Sequence, residues 1–395
     1  MSIAERATIE GTAAPEFAAV REAFTANFTD RGDQGAAVCV YRHGIPVVDL
    51  WGGSADPPSD RLYAGDTLQL VFSTTKGATA VCANLLIERG LLDPSAPVAE
   101  YWPEFAAAGK GGITVEWLLT HQSGLPAIDA TLTMSEALAW DPIVEALADQ
   151  KPLWEPGTAH GYHALTFGWL VGEVVRRVSG MTIGSFFARE VADPLDLEFW
   201  IGLPPSEEHR VAPLTITLDY IADMDPEQLA SMATTFGPDG LGTRALFLNG
   251  TFGDFGEGGG PFNLPELHAA EVPAANGITT ARSLARFYAG LIGEVDGVRV
   301  LQPETVADMS RSRTVGTDLV LGGESKFGLG VMCDSPFTPL LGPGGFGHFG
   351  AGGSVGFAHP ESGITFGYVM NQMRLSVAGD DRTTYLIDAV RQSIG

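Results

Sequence analysis

A serine and a lysine stand three residues apart in the segment Ser73-Thr-Thr-Lys76. The segment follows an apolar, strand-like run (68–72) and precedes a helix-like run (77–89). On a helix this spacing puts the hydroxyl and the amine on one face, about one turn apart. Serine is a weak nucleophile at neutral pH until a neighbouring base takes its proton, so the pair predicts a nucleophile with its activating base. A helix N-terminus also favours the negative charge that forms when a carbonyl is attacked.

The same spacing is common in helices, where the serine caps the helix and the lysine is solvated. Two observations favour the catalytic interpretation. Lysine is scarce, because the chain has only Lys76, Lys110, Lys151 and Lys326. The residues on both sides of the segment are apolar, which predicts a buried helix rather than a solvated lysine.

A tyrosine, Tyr162, lies where a turn-rich segment (154–161) meets a helix-like run (165–179). A neighbouring ammonium would lower the pKa of its phenol and make it a general base, whereas a core aromatic with a hydrogen-bonded hydroxyl is the alternative. His160 and His163 are three apart, but they have no acidic or cysteine partner at a matching spacing. We therefore predict no metal site there.

A glycine-rich segment (346–356) lies between strand-like runs near the C-terminus. Glycine lets a ligand approach a strand closely, so this segment predicts an edge strand whose backbone N–H joins that of Ser73 in an oxyanion hole; a tight turn is the alternative. The segment also contains Gly352-Gly-Ser354-Val-Gly356, which matches the Gly-x-Ser-x-Gly nucleophile motif. That motif needs a following helix and then an acid and a histidine, whereas the last histidine is His359 and precedes every later aspartate, so we treat the match as coincidental.

Composition narrows the classes of partner. The 395 residues carry a formal net charge of −25, which disfavours binding to nucleic acid and to anionic membranes. No run approaches the eighteen or so apolar residues of a membrane span. The cysteines stand singly in apolar runs and the N-terminus has no apolar signal-like segment, so the sequence predicts a cytoplasmic protein without metal or other cofactor.

The patterning of the chain predicts an α/β (α+β) fold with one central antiparallel sheet built from both ends, flanked by helices, and a helical lobe inserted between them. We assign residues 1–76 and 294–395 to the α/β lobe and residues 77–293 to the helical lobe, with the active site between the two. Long loops with short helices are expected at 203–278. Helices are predicted at 16–29, 77–89, 115–121, 134–149, 165–179, 182–191, 280–293 and 381–393, and strands at 35–42, 47–52, 68–72, 328–333, 346–350, 354–358 and 365–371.

Five elements in one order resemble the serine β-lactamase-like family. They are similar to its class C branch and, within it, to the family VIII carboxylesterases. The resemblance implies a β-lactamase and penicillin-binding-protein-like fold and acyl transfer through a covalent acyl-enzyme. The five elements are Ser73-x-x-Lys76, Leu118-Leu-Thr-His-Gln-Ser-Gly-Leu125, Trp154-x-Pro-Gly leading to Tyr162, Pro273-Ala-Ala-Asn-Gly277 and His348-Phe-Gly350.

The resemblance also implies a role for each matching position. Ser73 takes the place of the nucleophile, Lys76 that of the activating amine, and Tyr162 that of the tyrosine in a Tyr-x-Asn element. The backbone N–H groups of Ser73 and Ala351 take the places of the oxyanion donors. The family's Lys-Thr-Gly strand corresponds to His348, Phe349 and Gly350, which we expect to bind substrate together with Trp154. An apolar acyl or alcohol pocket is expected from Phe72, Trp154, Phe252, Phe255 and Phe349.

Two departures from the family pattern narrow the expected activity. Ala164 replaces an asparagine that would hold the side-chain carbonyl of a β-lactam, and His348 replaces a lysine that would bind a substrate carboxylate. Both changes favour a carboxylesterase for small short-chain or aryl esters over an efficient β-lactamase. The alternatives are a β-lactamase or D-amino-acid peptidase type of amide hydrolase, an acyltransferase, and a non-enzymatic penicillin-binding-like sensor.

Overall fold

Strands from both ends of the chain meet in one antiparallel sheet, as the sequence predicts. The computed structural model describes residues 8–216, 237, 240–253, 259–374 and 376–395. The strands in that part of the chain are β1 (Ile9–Ala13), β2 (Gly35–Arg42), β3 (Ile45–Asp56), β4 (Arg61–Leu62), β5 (Gln69–Leu70), β6 (Phe199–Trp200), β7 (Thr215–Ile216), β8 (Ile278–Thr279), β9 (Thr314–Thr317), β10 (Glu324–Phe327), β11 (Met332–Cys333), β12 (Phe346–Phe349), β13 (Val355–His359), β14 (Ile364–Met370) and β15 (Gln372–Met373).

The order across the main sheet is β1-β3-β2-β14-β13-β12-β11-β10-β9, with β4 paired to β3. The central strands β2 and β14 are buried along almost their whole length, because helices cover both faces of the sheet. Strands β5, β8 and β6 form a separate small sheet, and β15 pairs with β7.

The helices divide between the two faces of this sheet and a group built around α2 and α6. The α-helices in the described residues are α1 (Ala18–Asp30), α2 (Thr75–Glu88), α3 (Val115–Leu119), α4 (Met134–Leu138), α5 (Asp141–Asp149), α6 (Thr166–Ser179), α7 (Ile183–Phe187), α8 (Leu241–Phe247), α9 (Pro265–Ala269), α10 (Ala281–Ile292), α11 (Pro303–Ser310) and α12 (Asp381–Ile394).

Helix α10 lies directly on one face of the sheet, against β2, β13 and β14. Two glycines allow this approach. A Cβ at Gly356 would lie 2.6 Å from the Tyr288 ring, and one at Gly367 would lie 2.5 Å from the carbonyl oxygen of Ala281. This helix falls within residues 77–293, which the sequence assigned to the helical lobe; the division of the chain into lobes stays a prediction.

Helices α1 and α12 pack together on the other face of the sheet. A buried ion pair joins α12 to the chain segment before β2: Arg382 Nη1 lies 3.0 Å from Asp33 Oδ1, and both side chains are fully buried. The hydroxyl of Tyr368, on β14, donates to the same carboxylate at 2.6 Å. Because each of these buried polar groups has a partner, the polar cluster fixes α12 without leaving an uncompensated charge.

Several predicted elements differ from the structure at their ends. The predicted helix 134–149 is two helices, since Trp140 adopts a left-handed φ of 72° between α4 and α5. Of the predicted strand 328–333 only Met332–Cys333 is extended, and the predicted helix 182–191 ends in a π-helical turn, Ala188–Ala192. The sequence pattern missed α11 and several strands, namely β1, β4, β6, β7, β8, β9, β10 and β15. Residues 217–236, 238–239 and 254–258 of the predicted loop region 203–278 lie outside the described residues.

None of the helices in the described part of the chain combines the length and the apolar character that crossing a bilayer requires.

Candidate active site

Ser73 lies in a 3-10 turn, Phe72–Thr74, that leads directly into α2. The predicted strand before it is shorter than expected, because only Gln69–Leu70 pairs with β8. Phe72 adopts a φ of 44°, a strained value for a residue with a side chain, of the kind that costs about 1–3 kcal/mol. The hydroxyl of Thr75 donates to the carbonyl of Phe72 at 2.5 Å and holds the turn. Ser73 is thus presented at a sharp bend and keeps partial exposure.

The amine of Lys76 is fully buried and faces Ser73. Its Nζ lies 3.0 Å from Ser73 Oγ, and it donates to the carbonyl oxygens of Ala164 at 2.7 Å and Ala274 at 3.0 Å. Burial lowers the pKa of Lys76 well below the ordinary value of a lysine. A neutral amine has two N–H groups and one lone pair. In this neutral form, with the two carbonyls accepting the two N–H groups, the lone pair is directed to Ser73.

A second buried lysine, Lys110, differs from Lys76 in one hydrogen-bond partner of its amine. Its Nζ donates to three backbone carbonyls, those of Ala107, Ala148 and Gln150, at 2.6–3.0 Å. Three acceptors match the three N–H groups of an ammonium, and the pKa of Lys110, lowered by burial to about 8, keeps it protonated at neutral pH. At Lys76 the third partner is the Ser73 hydroxyl, which can itself donate a proton.

Tyr162 lies beside this pair. Its hydroxyl is hydrogen-bonded to Ser73, and the centre of its ring lies 4.7 Å from Lys76 Nζ. The expected lowering of the pKa of Tyr162 by an ammonium is wrong. Burial raises the pKa of this phenol far above its ordinary value and outweighs the bond to Ser73, so the phenol keeps its proton.

A buried carboxylate holds the backbone at Tyr162. The Oδ1 atom of Asp318 accepts hydrogen bonds from the N–H groups of Tyr162, Val320 and Leu321, each at 2.9 Å. The hydroxyl of Ser325 donates to the other oxygen of Asp318 at 3.0 Å. This carboxylate therefore joins the loop after β9 to the tyrosine. The sequence analysis missed Asp318, because no local pattern marks a contact between residues 156 positions apart.

The neighbouring histidines support the same loop. The Nδ1 atom of His163 donates to the carbonyl of Gly161 at 2.6 Å, which leaves Nε2 to accept from the N–H of Leu125 at 3.0 Å. Burial lowers the pKa of His163 to about 3. His121 accepts from the N–H of His163 at 3.1 Å, and His160 lies 2.8 Å from the hydroxyl of Ser325. The segment from Leu118 to Leu125 thus supports the tyrosine loop.

The turn after β12 approaches Ser73 from the sheet. A Cβ at Gly350 would lie 2.1 Å from the carbonyl oxygen of Val71, so the two backbones touch there. The two N–H groups predicted as oxyanion donors belong to Ser73 and Ala351, one on each of these segments. Within the described part of the chain neither N–H donates to another group, which leaves both available to a ligand.

Adjacent residues of β12 point to opposite faces of the sheet. His348 is paired with Gly356, faces α10, and has its ring centre 6.0 Å from that of Tyr162. Phe349 faces the other way: a Cβ at Gly379, just before α12, would lie 2.5 Å from its ring. The prediction that the Phe349 side chain lines the substrate pocket is therefore wrong, because the strand register puts its ring on the face of the sheet opposite to His348 and Tyr162.

His348 is fully buried and uncharged. Its Nδ1 donates to the carbonyl of Phe349 at 2.6 Å, and its Nε2 has no hydrogen-bond partner among the described residues. Burial, followed by repulsion from the protonated form of Lys76, lowers the pKa of His348 to about 3. This lowered pKa favours a neutral imidazole at neutral pH, in contrast to the lysine of the family pattern.

The remaining predicted aromatic residues have different positions. The half-buried ring of Trp154 covers Gly161, where a Cβ would lie 2.9 Å from it, so Trp154 supports the loop before Tyr162. Next to Ser73, the ring of Phe72 packs on that of Phe262 with the ring centres 4.8 Å apart. The ring of Phe252 stacks on the same Phe262 ring with the centres 5.9 Å apart. Phe72 and Phe252 are buried, and Phe255 lies outside the described residues.

A serine with a buried amine, a tyrosine and two free backbone N–H groups is the arrangement that the resemblance implied. The sequence matches the β-lactamase family model over residues 20–391. The chain belongs to the β-lactamase family.

Known members of the family are similar over nearly all of the chain. The esterase/beta-lactamase LipL of Mycobacterium tuberculosis is 38% identical over 92% of this chain and 83% of its own length. A crystal structure of a family VIII carboxylesterase matches with a TM-score of 0.85 and 38% identity, covering 98% of this chain and 100% of that one. The structure of EstA from Arthrobacter nitroguajacolicus matches with a TM-score of 0.84 and 34% identity, covering 97% and 98%. The predicted fold and family are confirmed.

Proposed function

We infer that this protein is a serine carboxylesterase that forms its acyl-enzyme on Ser73. One observation carries the assignment: the buried amine of Lys76 lies 3.0 Å from Ser73 Oγ, with two backbone carbonyls taking its N–H groups. The names of its relatives support an esterase. LipL is called an esterase/beta-lactamase, and the matching crystal structure is that of a family VIII carboxylesterase.

The first chemical step transfers a proton and forms a bond. Ser73 Oγ attacks the ester carbonyl carbon while its proton moves to the lone pair of Lys76. The C=O π electrons move to the carbonyl oxygen, which becomes an oxyanion. Two backbone N–H groups, those of Ser73 and Ala351, stabilise that charge. Because burial disfavours the ammonium of Lys76, more of the amine is in the unprotonated form that can accept this proton than in a solvated lysine, and the ammonium then releases the proton more readily.

The second step expels the alcohol. The oxyanion reforms the C=O bond as the bond to the alcohol oxygen breaks, and the ammonium of Lys76 returns a proton to the leaving oxygen. Tyr162 stays protonated, so it serves as a hydrogen-bond donor and a proton relay beside Ser73. Water then attacks the acyl-enzyme by the reverse route and frees the acid and Ser73.

The chemistry of the site favours small, uncharged esters. His348 is neutral at the position where the family pattern has a lysine, so no fixed cation stands there to bind a substrate carboxylate. Ala164 contributes only its backbone carbonyl, which Lys76 already occupies. Next to Ser73 in the chain, the ring of Phe72 packs on that of Phe262, and such an apolar contact suits short-chain or aryl esters. We also propose Trp154 and Gly350 as substrate-binding positions.

We propose that the protein is located in a reducing compartment such as the cytoplasm. The three cysteines are buried and free, so none is engaged in a disulfide. With its formal net charge of −25, the protein is expected to act on a small molecule rather than on nucleic acid or an anionic membrane.

A substrate panel tests the proposed function. It compares short-chain and long-chain nitrophenyl esters with a chromogenic cephalosporin, using the wild type and Ser73→Ala. We expect the highest kcat/KM on a short-chain or aryl ester and no turnover above background in the variant. Faster turnover of the cephalosporin than of every ester would contradict the esterase assignment. Acylation without turnover of any substrate would instead indicate a sensor.

A further inference from the structure

Ser354, the serine of the coincidental Gly-x-Ser-x-Gly match, is not a nucleophile. It is 1% exposed, and its hydroxyl donates to the carbonyl oxygen of Val71 at 2.9 Å. Thr74 Oγ1 lies 3.2 Å from Ser354 Oγ. Since the only proton of the Ser354 hydroxyl goes to Val71, Thr74 is the donor in the second contact. A hydroxyl with both contacts satisfied and no neighbouring base cannot attack a substrate.

The partners of Ser354 belong to the two segments that carry the oxyanion donors. Val71 and Thr74 flank Ser73 on one segment. On the other segment, the backbone carbonyl of Ser354 accepts from the N–H of Gly350 at 2.7 Å and closes the turn that contains Ala351. One residue therefore bonds both to the Ser73 segment and to the Ala351 turn.

The two segments touch so closely at this point that only glycine fits at position 350. A Cβ there would lie 2.1 Å from the carbonyl oxygen of Val71, 2.2 Å from Ser354 Oγ and 2.9 Å from Thr74 Oγ1. The hydroxyl of Ser354 thus fills the contact between the segments. Without it, the carbonyl of Val71 would keep only its weaker bond from the N–H of Thr74, at 3.2 Å, and a small void would open between the segments.

The turn that contains Ala351 is also held on its side away from Ser73. The fully buried guanidinium of Arg382 donates to the carbonyl of Gly352 at 2.7 Å, and the N–H of Gly352 donates to the carbonyl of Ser376 at 3.0 Å. The far side of the turn is anchored in this way, and on the near side the Ser354 hydroxyl bonds the turn to the Ser73 segment, where the backbones of Gly350 and Val71 touch.

We propose that Ser354 is a positioning residue that sets the separation of the Ser73 and Ala351 N–H groups, and with it the stabilisation of the oxyanion. This inference rests on the proposed function, in which those two groups are the oxyanion donors. An oxyanion hole acts only when its donors are held at hydrogen-bond distance from the developing charge. A loosened hole lowers the rate of acylation and leaves substrate binding nearly unchanged.

The test compares Ser354→Ala with the wild type on a nitrophenyl ester and on the matching thionoester, whose carbonyl oxygen is replaced by sulfur. Sulfur is a weaker hydrogen-bond acceptor, so the thionoester gains less from the hole. We expect kcat on the oxygen ester to fall by about 10- to 100-fold with KM changed by less than about threefold. The ratio of the oxygen-ester rate to the thionoester rate should fall by about tenfold.

A matched control is Thr365→Val, which removes another buried hydroxyl that donates to a backbone carbonyl, that of Ala285, at 2.9 Å. It should lower the melting temperature by a similar amount and leave the rate ratio at the wild-type value. If Ser354→Ala does not fold, Ser354→Cys keeps the volume with a weaker donor and should lower the ratio by a smaller factor.

A folded Ser354→Ala or Ser354→Cys enzyme with the wild-type kcat and rate ratio would overturn the inference. Failure of the proposed function gives a different result: the wild type itself would not turn over the ester, or Ser73→Ala would. The two outcomes are therefore distinguishable with the same two substrates.

Discussion

Lys76 Nζ lies 3.0 Å from Ser73 Oγ, where the first turn of α2 begins. Among the described residues the amine has no carboxylate partner: burial is the cause of its lowered pKa, and two backbone carbonyls hold it in place. A neutral amine in this setting is a base for one hydroxyl only. Each of the predictions below changes one part of this arrangement.

Removing the amine should abolish turnover. We expect Lys76→Met, which keeps the length and apolar stem of the side chain, to lower kcat by at least about 10³-fold, since Tyr162, the other titratable side chain bonded to Ser73 in the described part of the chain, stays protonated. Steady-state hydrolysis of a nitrophenyl ester measures this effect. The control is Lys326→Met, since Lys326 donates to the carbonyl of Asp334, away from Ser73. Equal losses in both variants would contradict the role of Lys76.

The pH profile should report the titration of Lys76. Its protonated form cannot accept the proton of Ser73, so kcat/KM should rise with pH as the ammonium loses its proton, and then level off. Because burial lowers the pKa of Lys76, this rise should end well below the ordinary pKa of a lysine. A rise that tracks the ordinary lysine value would contradict the neutral amine. Rates across pH 4–10, corrected for spontaneous hydrolysis, provide the measurement.

Tyr162→Phe separates the two candidate bases. Because the phenol of Tyr162 stays protonated, its loss should lower kcat by about 10²-fold and leave the acidic limb of the pH profile in place. If the variant lost the acidic limb of the pH profile together with its activity, Tyr162 would be identified as the base. Full activity in the variant would remove Tyr162 from the mechanism altogether.

Asp318 should act through the backbone of Tyr162. In Asp318→Ala three buried N–H groups lose their acceptor, so we expect a loss of about 3 kcal/mol or more in the free energy of unfolding and a lower kcat. Asp318→Asn keeps the accepting Oδ1, and the Ser325 hydroxyl can turn to accept from the new amide. The asparagine variant should therefore retain most of the free energy of unfolding and most of kcat. Urea unfolding and ester kinetics test this, and an asparagine variant as impaired as the alanine variant would show that the negative charge itself is needed.

The parts of the site that the sequence could predict are those set by local spacing. Ser73 and Lys76 are one helical turn apart, and the resemblance added Tyr162 to this pair. It also gave the fold, and the comparisons confirm the fold. The carbonyl partners of Lys76 lie 88 and 198 residues away from it in the chain, and no short-range pattern marks them.

The errors have two physical causes. The pKa of Tyr162 depends on how deeply its side chain is buried, and the residues next to it in the sequence do not show that depth. The direction of the Phe349 side chain depends on strand register, and a shift by one residue exchanges the two faces of a strand. His348 and Phe349 are adjacent in the sequence, yet only His348 faces Tyr162.

The covalent intermediate on Ser73 is the central claim, and it can be observed directly. The protein is mixed with an active-site acylating ester, quenched in acid, digested and analysed by peptide mass spectrometry. We predict one added acyl group on Ser73 in the wild type, its accumulation in a variant with slowed deacylation, and no acylated peptide in Ser73→Ala. Acylation of Ser354, or of any residue other than Ser73, would contradict the mechanism.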